Sequence, residues 1–142
     1  MNPTIEKFGY PATLVREFDH WVVLVRHSQV TLGSLILAAK SDATTYRDLP
    51  REAFAEQQDA VAAIETALAD FCQYERINYL MLMMVDPNVH FHVIPRYSAP
   101  RRWREMTIPD VGWPGPPDLA SALKLNEGQL QALVSDVASR FR

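Results

Sequence analysis

The sequence predicts an α+β fold: a five-stranded antiparallel sheet with one long helix packed on it and a second helix at the C-terminus. Three observations lead there. β-branched and alternating runs fall in two groups, one before residue 40 and one after residue 77. A single long amphipathic stretch separates the groups, and a capped apolar pattern closes the chain. The 142 residues, 48% hydrophobic and 22% charged, suit one globular domain spanning 1–142.

Ala12 to Glu17 and His20 to Arg26 read as a hairpin, the second strand rich in valine at 22, 23 and 25. Gly33 opens a third strand, Ser34 to Ala39. Pro50 sits at a favourable helix start, with Glu52 and Glu56 where the helix dipole welcomes acids. From there Phe54, Val61, Ile64, Leu68 and Phe71 recur at helical spacing, predicting about 24 residues and roughly 36 Å of helix. Asn78 to Met84 reads as a fourth strand, apolar on both faces, hence central in its sheet or sealed by a second subunit. Asp86-Pro87 supplies a turn into a fifth strand, Asn88 to Tyr97. The core is thus expected over about 10–97. A Pro-rich loop segment follows over 98–125, with five prolines between Ser98 and Pro117 and no further strand. The C-terminal helix is expected over 126–142, with Asn126 as its cap.

Composition narrows the function classes. A net charge of -3 argues against a dedicated nucleic-acid binder. The longest apolar run, Tyr79 to Val85, is too short to span a bilayer, and Glu6 and Lys7 interrupt the stretch a signal peptide would need. A cytoplasmic protein is the expectation. The single cysteine, Cys72, allows no intrachain disulfide, and its helical setting suits a buried structural thiol.

The chemistry concentrates in Asn88-Val89-His90-Phe91-His92-Val93-Ile94-Pro95-Arg96. Alternation along a strand puts Val89, Phe91 and Val93 on one face and both imidazoles on the other, about 6 to 7 Å apart. Three readings compete for that pair. A neutral imidazole is a good nucleophile toward phosphorus, and a second one nearby can donate to a phosphoryl oxygen or leaving group. His-x-His is also a common pair of metal ligands, for which His20, His27, Asp19 or Asp86 would have to supply the rest. Finally, two partly exposed histidines can be hydrogen-bonded and inert.

The run His90-Phe91-His92-Val93-Ile94-Pro95-Arg96 resembles the signature of the histidine triad (HIT) family, His-x-His-x-His followed by apolar residues and often Pro-Arg. The order of elements over about 10–97 is similar as well. The resemblance implies a HIT-like fold and a nucleotide hydrolase or nucleotidyl transferase, cleaving a phosphoanhydride or phosphoramidate of a small nucleotide. It makes His90 the nucleophile that forms a covalent nucleotidyl-imidazole, and His92 its partner at the phosphoryl oxygens. Asn88 stands at the first triad position. There the main-chain carbonyl orients the nucleophile in the family, so a changed side chain leaves the orienting bond available.

The sequence departs from the family pattern at other contacts. Arg26 stands where an asparagine usually reaches the ribose, Ser34 where a histidine is common, and only Val85, Asp86 and Pro87 precede Asn88 in place of a longer phosphate loop. Arg26, His27, Ser34 and Arg96 are the candidate substrate-binding residues. No metal or cofactor is expected on the protein, magnesium entering only with a polyphosphate substrate. The resemblance also implies a homodimer. A non-catalytic nucleotide-binding or interaction module on the same fold is the alternative reading, and a His-x-His metal-binding protein a further one.

Overall fold

The computed structural model describes residues 1–142, and it begins with a helix that lies outside the predicted elements. This short helix, α1 (Pro3–Lys7), starts at the Asn2-Pro3 pair. Asn2 Oδ1 accepts from the Ile5 N–H at 2.9 Å, and the proline sits where the missing N–H has no consequence. Strands β1 (Leu14–Glu17), β2 (Trp21–Val25), β3 (Ser28–Gln29) and β4 (Leu35–Ala39) follow. Helix α2 (Arg51–Cys72) leads to β5 (Arg76–Leu80) and β6 (His90–Arg96). A hairpin of β7 (Arg101–Trp103) and β8 (Met106–Ile108), a short β9 (Leu123–Lys124) and helix α3 (Glu127–Ala138) complete the chain.

The expected five-stranded antiparallel sheet is present, in the order β1-β2-β4-β6-β5. Its two faces have different covers. Trp21, Val23, Val25, Leu35, Leu37 and Val93 meet Ile64 and Leu68 of α2 and Leu133 and Val137 of α3 in the main core. The opposite face carries Val22, Leu24, Ile36 and Ala38, which α1 covers with Ile5 and Phe8. Burying those two side chains stabilises the docked helix by roughly 3–6 kcal/mol. Gly33 turns the chain into β4 at φ +91°, and its missing side chain lets Leu68, Pro95 and Cys72 close over it.

Several boundaries differ from the sequence pattern. The fourth sheet strand in sequence, β5, ends at Leu80 and is an edge strand rather than a central one. Met81 to Met84 leave the sheet, and Leu82, Met84 and Val85 stand exposed. Apolar composition on both faces therefore marks a strand followed by an apolar loop, two patterns that hydropathy alone cannot separate. The Pro-rich region holds strands where the absence of periodicity predicts none. It folds the β7–β8 hairpin, and β9 pairs with β3 through Ser28–Lys124 and Gln29–Leu123. Two- and three-residue strands are too short to show alternation. The C-terminal helix agrees with expectation down to its cap, where Asn126 and Gln129 exchange side-chain to main-chain bonds.

Candidate active site

The register of the sheet builds the site. Directly opposed residues of antiparallel strands share a face. Val22–Ala38–His90 and Leu24–Ile36–His92 therefore form two adjacent rows across β2, β4 and β6. The two imidazoles lie side by side, their ring centroids 5.2 Å apart and their planes nearly perpendicular.

Their hydrogen bonds fix opposite tautomers. His90 Nδ1 lies 2.7 Å from the Asn88 carbonyl oxygen, which can only accept. The His90 proton is therefore on Nδ1, and Nε2 carries a bare lone pair with no partner, fully buried. Arg26 Nε–H points at His92 Nδ1 over a longer 3.4 Å, so His92 keeps its proton on Nε2. One ring thus presents a lone pair and its neighbour an N–H. A phosphorus electrophile and its oxygens need that combination.

Asn88 acts through its surroundings as well as its carbonyl. Thr4 Oγ1 donates to Asn88 Oδ1 at 2.9 Å and accepts from the Asn88 N–H at 3.2 Å, while Asn88 Nδ2 reaches the Asp42 carbonyl. The orienting carbonyl is thereby held by a residue 84 positions earlier. Sequence spacing gives no sign of that contact.

The histidine face is covered and not open to solvent. His90 is 0% and His92 7% exposed. Phe8 lies over both rings at 5.5 and 6.0 Å, tying the α1 cover to the chemistry. Asn2 anchors that cover through the Ala39 and Ser41 carbonyls, and Lys7 pairs with Asp86 at 2.7 Å. The amphipathic character of residues 2–8 is a signal for this element, but one turn of helix is shorter than a periodicity window.

Burial first, then the Arg26 and His90 neighbours, lowers the His92 pKa to about 4. His92 is therefore neutral throughout the physiological range. The folded value lies below the ordinary 6.5, so between about pH 6.5 and 4 the unfolded chain binds more protons and stability falls as pH falls. The difference in denaturant midpoint between the wild type and His92→Gln is expected to stay constant above about pH 6.5 and to shift against the wild type as pH falls toward 4. A constant difference across that window would contradict this linkage.

The other candidate residues divide clearly. Arg26 is in the site. Ser34 is fully buried, its hydroxyl donating to the Thr31 carbonyl at 2.7 Å within the turn before β4, so it serves the fold. His27 is half-buried beside Arg26, its carbonyl accepting from Leu125 N–H. Arg96 shares the histidine face but is committed elsewhere. Nε and Nη2 grip the Asp110 carboxylate at 2.7 and 3.1 Å, Nη1 donates to Asn78, and Nη2 also reaches the Gly115 carbonyl. A guanidinium so engaged holds the 110–115 loop on the sheet and has no fork left for a phosphate, which corrects that expectation. Arg101 similarly donates to the Cys72 and Gln73 carbonyls. Cys72 is buried with its pKa raised to about 11 by desolvation, as an inert structural thiol should be. No group of three or more His, Cys, Asp or Glu side chains is placed to hold a metal ion. No helix is long and apolar enough to cross a membrane.

No protein-family model matches the sequence, and no curated protein does. Solved structures do. A histidine triad (HIT) protein from Sinorhizobium meliloti superposes with a TM-score of 0.75 at 18% identity, over 99% of this chain and 95% of that one. A histidine triad protein from Marinobacter aquaeolei gives 0.74 at 19% identity, covering 96% and 93%. A hypothetical histidine triad nucleotide-binding protein from Sulfolobus tokodaii gives 0.68 at 16%, covering 97% and 89%. The chain has the histidine triad fold.

Proposed function

We propose that this protein is a histidine triad nucleotide hydrolase or nucleotidyl transferase, acting on a phosphoanhydride or phosphoramidate of a small nucleotide. The observation that carries the reading is the pair of complementary tautomers: a bare His90 Nε2 fixed by the Asn88 carbonyl, beside a neutral His92 with its proton on Nε2. The nucleotide-binding description of the similar Sulfolobus tokodaii protein supports it.

In this reading the His90 Nε2 lone pair attacks the α-phosphorus. A P–N bond forms as the bond to the leaving oxygen or nitrogen breaks, the leaving group takes a proton from water, and His92 Nε2–H donates a hydrogen bond to a phosphoryl oxygen. Water then attacks the nucleotidyl-imidazole, its proton passes to bulk water, and the P–N bond breaks to release the nucleotide and a neutral His90. Magnesium enters only as the companion of a polyphosphate substrate. Phe8 and α1 must shift for phosphorus to reach His90, because the nitrogen is buried at rest.

That burial also favours the second reading, a module that binds nucleotide at the Arg26 and His92 side and never turns it over. Mass spectrometry after brief incubation with mixed adenylated and guanylated substrates separates the two. A nucleotidyl adduct on the peptide bearing His90 is the expected result. Binding by calorimetry without adduct or turnover would establish the module instead.

The reading includes a homodimer. The outer edge of β5 is unpaired, and Leu82, Met84 and Val85 lie exposed just beyond it. Sedimentation is expected to give twice the 16.1 kDa chain mass at micromolar concentration. A clean monomer would oppose it.

A further inference from the structure

Of the partly or fully buried arginines, two are paired with carboxylates and three, Arg16, Arg26 and Arg101, are not; of these three only Arg26 hydrogen-bonds to the histidine pair. Arg96 has Asp110, and Arg140 has Asp70. Arg26, although half-buried, forms no ion pair. Its Nε meets His92, its Nη1 donates to the Ser28 carbonyl at 2.6 Å, and Nη2 makes no hydrogen bond. Burial lowers its pKa and no acid opposes the shift. The neighbourhood adds charge of the same sign. The β3–β9 ladder sets Lys124 opposite Ser28, and the His27 pKa is lowered first by burial and then by the charges of Arg26 and Lys124.

A partly desolvated cation without a counter-charge is unfavourable, and an anion arriving beside it relieves that cost. The shape of the guanidinium and its free N–H groups suit phosphate. The site chemistry already has a place for one phosphate, at His90 Nε2 and His92 Nε2–H. Arg26 meets His92 at Nδ1, the ring nitrogen opposite the Nε2–H that faces the first phosphate, so its free Nη2 is available to a different anionic group.

We infer that Arg26, assisted by Lys124, binds a second phosphate of the substrate, in addition to the one His90 attacks. The inference rests on the nucleotide reading above and narrows it: the substrate carries at least two phosphates. The second can belong to a 5′-polyphosphate chain or be borne on the ribose.

Calorimetric titration tests this without requiring turnover. The probes are AMP, ATP and adenosine 3′,5′-bisphosphate, their guanine counterparts, and inorganic pyrophosphate, all at one low ionic strength. Wild type is expected to bind one of the multiply phosphorylated classes about 10- to 100-fold more tightly than the monophosphate, the range of one charge-assisted contact. ATP or the bisphosphate winning identifies the source of the second phosphate. Arg26→Gln is expected to erase that ratio, Arg26→Lys to keep part of it, and Lys124→Gln to reduce it less. A ratio unchanged in Arg26→Gln, with the variant's melting intact, overturns the inference. So does equal weakening of mono- and multiply phosphorylated ligands. If a His90 adduct forms but the ratio is near one, only the second-phosphate site fails. If pyrophosphate binds through Arg26 while no nucleotide binds or reacts, the anion site stands and the nucleotide reading falls. Failure of every probe to bind overturns both.

Discussion

Asp110→Ala is expected to destabilise the fold by about 3–5 kcal/mol, because it strands a buried guanidinium without its carboxylate. The Arg96 and Asp110 side chains are 4% and 1% exposed, in a bidentate geometry. Asp110 also accepts from the Tyr97 N–H at 3.1 Å, so the substitution opens a second buried donor. Urea midpoints measure the loss. The paired replacement Arg96→Met with Asp110→Leu should recover much of it, since removing both charges also removes their desolvation penalty. A loss below about 1 kcal/mol for Asp110→Ala would mean the pair is hydrated and exchangeable, as surface ion pairs are.

His90→Gln is expected to lower turnover by at least about 10³-fold and to abolish the covalent nucleotidyl adduct, as removal of a nucleophile does. Glutamine fills most of the imidazole's volume and avoids the cavity that alanine would leave at a fully buried position. His90→Ala should therefore be the less stable of the two variants, with equally little activity. Melting curves beside the adduct assay separate lost chemistry from lost fold. Adduct formation by His90→Gln would assign the nucleophile to another group.

How far the sequence reaches depends on the length scale of each feature. The histidine strand, α2 and the capped α3 are all long enough to show their period, and each is found where its pattern lies. The Asn88–His90 bond was legible too, because a main-chain acceptor survives a change of side chain. What escaped is what contact order hides. Thr4 meets Asn88 across 84 positions and Arg96 meets Asp110 across 14, and no local spacing encodes either. Arg96 followed the histidines as a phosphate-binding arginine would, yet its acid partner sits in a stretch that reads as a structureless loop. The α1 cover escaped because one turn of helix carries too few residues for an amphipathic pattern to register.

That small helix has a kinetic meaning. In the proposed reading, the barrier a ligand meets on its way to the histidine pair is set by how firmly the residues that seat Phe8 over both rings hold their place. Changes at Lys7, whose exposed ion pair with Asp86 touches no part of the chemistry, would therefore quicken admission while the global unfolding free energy hardly moves.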